Sequence, residues 1–196
     1  MSEESLIRDW KNGSIPDLIS REGVFSDGDW VESKDQDPNG DVRLIQLADI
    51  GDGVFRNKSD RFLTSEKAEQ LRCTFLEEGD ILIARMPDPL GRACIFPLTG
   101  KFVTVVDVAI IRPSCNPKWL MYWINSPSLR NEIFNNASGS TRLRISRKNL
   151  SKIIFPLPPL HEQQRIVARL DAIFGHLDVL REKLDRIPEL LKNFRQ

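Results

Sequence analysis

The strongest hydrophobic pattern occupies the last forty residues, where Ile166, Leu170, Ile173, Leu177, Leu180, Leu184, Ile187, Leu191 and Phe194 are separated alternately by four and three positions. Strict four-three alternation sustained over successive heptads describes a coiled-coil seam, not a strand or a loosely amphipathic helix. Leucine fills one seam position at 170, 177, 184 and 191, and Arg165, Arg169, Asp171, Asp178, Glu182 and Asp185 populate the outer faces. Pro158 and Pro159 forbid a helix before them, and Glu162 suits the positive end of one that begins at Leu160. Helical throughout, residues 160 to 196 would reach about 55 Å, more than a compact domain of this size spans. Pro188 predicts a bend near Asp185 to Pro188. The pattern therefore predicts a spacer that pairs with another helix; the simpler alternative is a surface helix packed on its own domain.

Upstream the pattern is shorter and mixed. Residues 1 to 40 are polar and broken by Gly13, Gly23, Gly28, Pro38 and Gly40, and Asp37 to Asp41 is a turn by composition. Asp41 to Leu47 predicts a strand, Gly51-Asp-Gly53 a turn, and Thr64 to Arg72 a short helix capped by Thr64 or Ser65. Ile81 to Ala84 predicts a buried strand. Ala93 to Pro97 and Phe102 to Ile111 flank Leu98-Thr-Gly-Lys101 and predict a hairpin. Asn116-Pro117 opens a helix to Asn125, and Pro127 another to Asn135. Sheet and helix without regular alternation predict an α+β domain with a mixed sheet over residues 1–155, followed by a long coiled-coil-forming helix over 156–196. Trp119, Tyr122 and Trp123 share one helical face, which a core explains better than base stacking.

The chain has 196 residues, 40% of them hydrophobic, enough for one domain with an appendage. Lys plus Arg and Asp plus Glu each total 28, so no global basic field exists and any nucleic-acid surface must be local. Cys73, Cys94 and Cys115 are odd in number and mutually distant, which predicts reduced thiols and not a zinc site or disulfide frame. No long apolar run or signal-peptide pattern is present, so a cytoplasmic protein without membrane contact is expected.

Charge concentrates in one place. Arg130, Arg142, Arg144, Arg147, Lys148 and Lys152 face a single acid, Glu132, a local net charge of +5. Ala137-Ser-Gly-Ser-Thr141 precedes Arg142-Leu-Arg144, and small hydroxyl residues on a glycine-bearing loop admit phosphate oxygens to backbone N–H groups. In an extended segment Arg142 and Arg144 would share a face. Secondary candidates for DNA contact are Lys34 in a polar loop, Arg85 and Arg92 around the Pro-rich loop, and Lys101 at the expected hairpin tip. Catalytic patterns are weak. Asp17 with Glu32-Ser-Lys34 satisfies only the letter of a metal-dependent nuclease signature, because the Glu-x-Lys segment is too polar for a buried strand. Asn116-Pro-Lys-Trp119 departs from the Asn-Pro-Pro-aromatic motif of adenine methyltransferases and is better explained as a helix start; Gly100-Lys101 lacks the leading glycine of a phosphate loop. The only histidines, His161 and His176, lie in the predicted spacer helix, so a histidine-based nucleophilic site in the domain is unavailable.

The run from Ile153 to Phe174, containing Pro156-Leu-Pro-Pro-Leu-His-Glu-Gln-Gln-Arg165, with Ser146-Arg-Lys-Asn-Leu150 before it, resembles the junction in DNA-specificity subunits of type I restriction-modification enzymes. There a target recognition domain gives way to a spacer helix. The resemblance implies a non-catalytic chain that reads one half of a split target in double-stranded DNA, with Ser140, Thr141, Arg142, Arg144 and Lys148 in the segment nearest the DNA. It implies pairing of Ile166, Leu170, Ile173, Leu177, Leu180, Leu184, Ile187 and Leu191 with a second spacer helix, from another copy or from a missing half. Expected partners are the modification (methyltransferase) subunits and the restriction subunit, which use S-adenosylmethionine, ATP and Mg²⁺, while this chain binds no cofactor. With one recognition domain and one spacer where the family usually carries two of each, the chain is expected to be a half-length subunit or a truncation. The alternative from a different class is a coiled-coil scaffold whose basic loop is incidental.

Overall fold

Residues 10–87 and 89–187 are described by a computed structural model. The chain divides into two compact units, residues 1–158 and 159–196.

The first unit is built on two continuous apolar tetrapeptides, Ile81–Ala84 (β5) and Val108–Ile111 (β8), every residue of which is buried. Such runs suit strands covered on both faces, and they form the centre of a four-stranded antiparallel sheet. Phe25–Asp27 (β2) and Ala93–Ile95 (β6) flank them in the order β2-β8-β5-β6. A second sheet has Val42–Ile45 (β3) between Arg61–Leu63 (β4), antiparallel, and Phe102–Thr104 (β7), parallel. A third pairs Lys11–Gly13 (β1) with Phe155–Leu157 (β9), antiparallel.

The core sits between the two larger sheets. Ile45, Ile50, Leu76, Leu82, Ala84, Cys94, Val108 and Ile110 surround Phe96, whose ring meets Phe55 and Phe102 edge to face at centroid distances of 5.4 and 5.1 Å. A smaller cluster of Val42, Leu44, Leu63 and Val103 receives Ala68 from the helix Ser65–Gln70 (α1), which Thr64 caps. Pro117–Ile124 (α2) and Pro127–Asn135 (α3) start where Asn116 and Ser126 accept the first free N–H groups. Trp119 and Trp123 stack at 6.4 Å and both lie against Phe155 of β9, so the aromatic face of α2 is internal packing. A short helix, Arg147–Leu150 (α4), follows Ser146 as its cap.

One mixed and two antiparallel sheets with helices beside them match the α+β expectation, but the hairpin does not form. β6 and β7, which flank Leu98 to Lys101, belong to different sheets, and the stretch Phe102 to Ile111 is split at Val105 to Asp107 into β7 and β8. The reason is non-local: β7 gains a parallel partner in β3 and β8 two antiparallel partners, contacts that a local β6–β7 pair would forfeit.

In the second unit, Leu160–Asp185 (α5) is a 26-residue helix that starts after Pro159 and caps at Arg186, about 39 Å long. From Ala172 to Ile187 every residue is exposed, including the seam residues Ile173, Leu177, Leu180, Leu184 and Ile187. Ile166 and Leu170 are half-buried, and Leu191 and the bend expected at Pro188 lie outside the described residues. Among the described residues no helix is long and apolar enough to cross a membrane.

Candidate nucleic-acid interface

The basic segment closes a tight loop. Ser138 and Arg144 exchange both backbone hydrogen bonds, 3.0 and 2.8 Å, so residues 139 to 143 protrude as a tip. Gly139 makes the turn with φ of +120°, and a Cβ there would collide with the Arg142 carbonyl. The tip carries Ser140, Thr141 and Arg142, all exposed. Its base is fixed to the sheet, because the Ile145 N–H donates to the Arg85 carbonyl at the end of β5. The Arg144 guanidinium reaches Asp107 at 3.1 Å, just before β8.

Three guanidiniums converge on that sheet end. Arg85 is buried, donates to the Val106 carbonyl and pairs with Asp27 at 3.0 Å. Arg147 donates to the Phe25 carbonyl at 2.9 Å and lies 5.9 Å over the Phe25 ring. Burial pulls the Arg85 pKa down; Asp27 and Asp107 oppose that, while Arg144 and Arg147 add to it. Against Asp27 and Asp107, the cluster of Arg85, Arg144 and Arg147 keeps one positive charge in excess, directly beneath the loop.

Not every cation expected at the surface is there. Arg85 and Arg92 are buried, and this corrects the reading of both as loop cations. Arg92 donates to the carbonyls of Ile50, Pro89 and Leu47, at 2.6, 2.9 and 2.8 Å, because those turns leave carbonyls that no strand satisfies. Arg130, counted in the basic segment, is held by Asp52, the Asn125 side chain and the Leu90 carbonyl. Arg142 and Arg144 do not share an extended face: Arg142 is exposed at the tip, whereas Arg144 turns inward to Asp107 and Val106. Lys148 is exposed on α4 beside a shallow groove with Pro16, Phe25 and Ser151, and Lys152 is exposed just beyond. Lys101 is exposed but bound to Asp41 at 2.7 Å and to the Ser65 hydroxyl; the Lys101 ammonium, helped by Ser65, holds the Asp41 carboxyl well below the usual range. Lys34 pairs with Glu32 at 2.6 Å.

A cleft of about 640 Å³ opens beside the loop. Trp30, Glu32, Gln46, Met86, Asp107 and Arg144 are among its lining residues. Trp30 is 67% exposed, and its indole N–H donates to Glu32 at 3.2 Å. The Gln46 turn is locked by Asp49, a fully buried carboxylate that accepts the N–H groups of Gln46, Lys58 and Ser59 at 2.8, 2.5 and 2.8 Å. That brings exposed Arg56 and Lys58 to the same turn. Asp29 also lines the cleft, and burial pushes its carboxyl up to about 6. The cleft escapes sequence reasoning because its walls come from positions far apart; the one local signal is a lone tryptophan, Trp30, in a polar segment.

The nuclease pattern has no geometry behind it. Asp17 accepts the N–H and hydroxyl of Ser14, both at 2.7 Å, and Glu32 opens a surface turn in place of a buried strand. Among the described residues no group of His, Cys, Asp and Glu has a metal-binding arrangement. The three cysteines are free, with burial pushing each thiol up to about 12, which makes them poor nucleophiles. Asn116 caps α2 through the N–H groups of Lys118 and Trp119, a structural use of the Asn-Pro pair.

Comparison with known proteins gives a consistent answer. The fold is similar to the crystal structure of the HsdS subunit from Thermoanaerobacter tengcongensis, with a TM-score of 0.71 and 24% identity over 96% of this chain and 43% of that one. In sequence the chain is 24% identical to the type I restriction enzyme EcoBI specificity subunit of Escherichia coli over 96% of its own length. It is 27% identical to the EcoDI specificity subunit of the same organism over 69% of its length, covering 29% of that protein. The chain spans about 40% of the EcoBI subunit. The model of the type I restriction modification DNA specificity domain matches residues 7–189, and the chain belongs to that family.

Proposed function

We propose that this chain is a non-catalytic reader of one half of a split DNA target in a cytoplasmic type I restriction-modification complex. The observation that carries the reading is the 139–143 tip. It is cationic, exposed, small-residue rich and anchored at its base by Arg144–Asp107 and by Ile145 on β5. A rigid base with a free guanidinium at the tip suits phosphate contact, because Arg142 need not abandon an internal partner to bind. Lys148 and Lys152 extend the same charge, and Ser140 and Thr141 supply hydroxyl donors.

In this reading residues 1–155 form the target recognition domain and 156–196 the spacer helix. The apolar seam of α5, exposed from Ile173 to Ile187, pairs with a second spacer helix from another copy or another domain pair. The modification subunits dock on the assembly and bring S-adenosylmethionine, and the restriction subunit brings ATP and Mg²⁺ chemistry. The exposed seam also favours a second reading, a coiled-coil scaffold without sequence readout.

Methylome sequencing of cells that co-express the chain with an adenine methyltransferase subunit separates the two. An interrupted methylated motif supports the reader. A complex that co-purifies but deposits no new methylation supports either the scaffold or a half that needs a second recognition domain.

A further inference from the structure

We infer that the cleft bounded by Trp30, Gln46 and Arg144 is the base-reading centre of the domain, and that Gln46 is a specificity-determining residue for an amino-bearing base, adenine or cytosine. The inference rests on the DNA-reading function proposed above and deepens it.

Charge distinguishes this cleft from the loop beside it. Asp29, Glu32, Asp107 and Arg144 line it, with Glu32 paired to Lys34 and Asp107 to Arg144, so among the described residues the cleft offers acceptors and no unpaired cation for a phosphate. Exposed cations lie on the two segments that lead into its lining: Arg142 on the tip closed by Arg144, and Arg56 and Lys58 on the turn that Asp49 ties to Gln46. A duplex held by those cations would present base edges, not backbone, to the cleft. Exocyclic amino groups of adenine and cytosine are the base-edge donors in the major groove, and a carboxylate-rich, amide-bearing cleft offers acceptors for them. Gln46 contributes a carboxamide, whose paired donor and acceptor match the N6 and N7 edge of adenine. Trp30, fixed by Glu32, supplies an exposed apolar wall.

The cleft is also built rigidly, as discrimination requires. The Asp49 carboxylate sets the Gln46 backbone, and Arg92 holds the following turn through the Leu47 and Ile50 carbonyls. Arg144 is set by Asp107. Asp49 acts on the Gln46 backbone N–H, a bond that truncation of the side chain does not remove, and thermal unfolding reports any loss from the capping position itself.

The test compares methylomes from cells that express the full chain, wild type or Gln46→Ala, with an adenine methyltransferase subunit. The expected result is a motif that becomes degenerate at one position, with discrimination there reduced about tenfold or more and the other positions retained. Trp30→Ala, at an exposed site that the fold does not need, is expected to relax the same position. Thermal unfolding of both purified variants must match wild type. An unchanged motif, or an equal loss of methylation at all sites in a variant that unfolds normally, overturns the inference while leaving the reader function standing. Absence of any motif from the wild-type chain overturns target reading by this chain alone, and the base-reading centre with it.

Discussion

The Arg144 guanidinium stands 3.1 Å from the Asp107 carboxylate, and this pair makes the cationic loop an extension of the central sheet. Arg142, two residues earlier, has no such tie among the described residues. The two arginines therefore separate under mutation. Arg142→Ala should leave unfolding unchanged, lower DNA affinity for all sequences alike, and reduce the slope of log affinity against log salt by about one. Arg144→Ala should weaken binding too, but with a loss of about 1 kcal/mol of stability as Asp107 is left unpaired near the surface. Salt titrations and urea unfolding of both variants decide this; equal stabilities for the two would sink the anchoring role.

A second pair carries more of the fold. Arg112 grips buried Asp80 with two hydrogen bonds of 2.9 Å and also reaches Glu77 at 2.7 Å. Asp80 in turn accepts the Glu77 N–H at 2.8 Å and opens β5. Asp80→Ala removes both bonds to Arg112, leaves the guanidinium with Glu77 and the Phe75 carbonyl, and should cost about 2 kcal/mol. The urea midpoint should fall with an unchanged m-value; a loss below about 1 kcal/mol would show that water replaces the carboxylate freely.

Asp29 predicts a pH dependence of opposite sign to that of most carboxylates. Burial raises its pKa to about 6 from an ordinary value near 3.8, against the hydrogen bonds from Thr74 and Cys73. The native state thus binds the proton more tightly than the unfolded chain, and Asp29 subtracts stability as pH rises from about 4 to about 6. Asp29→Asn keeps an acceptor for the Thr74 N–H and removes the ionisation. It should stabilise the protein at pH 7 relative to wild type by on the order of 1 kcal/mol, after allowance for solvent screening, and by less at pH 4. Denaturant unfolding at both values is the check, and an identical difference at each would contradict the assignment.

Helix pairing is tested by Leu177→Asp with Leu184→Asp. Both leucines are exposed, 52% and 63%, so the change leaves the melting of residues 1–158 untouched. Carboxylates in a seam would be buried unpaired, so self-association or assembly through α5 should be lost. Light scattering that shows the same mass for variant and wild type would rule out this seam.

What was legible in the chain was what short-range chemistry dictates. Thr64, Asn116-Pro117 and Ser126-Pro127 announce helix starts because a capping oxygen and a proline act on the next turn alone. Ile81 to Ala84 declares itself as a buried strand by composition. Pairing was not legible: nothing in Phe102-Val-Thr104 says that its partner is Arg43 to Ile45, reached in parallel across the intervening β4, α1, β5 and β6. The site divides in the same way. Arg142 and Lys148 are exposed, as a local charge excess suggests, whereas Arg85 and Arg92 carry the same charge and are spent on carbonyls of distant turns. Trp30 and Gln46 become neighbours only once β3 and the Val105 to Asp107 turn are in place.

The pairing of β1 with β9 has a consequence for how such a domain changes over time. Lys11 lies opposite Leu157 and Gly13 opposite Phe155, so the chain enters and leaves the recognition unit side by side, through one clasp. Everything between is a closed circuit whose ends are fixed by three registered positions and the Trp119, Trp123 and Phe155 cluster behind them. A foreign sequence placed between the same two strands would need to keep only these registered positions to close the clasp. In the DNA-reading role proposed for this chain, a change of preference by exchange of the whole segment between the clasp strands is the expectation that follows.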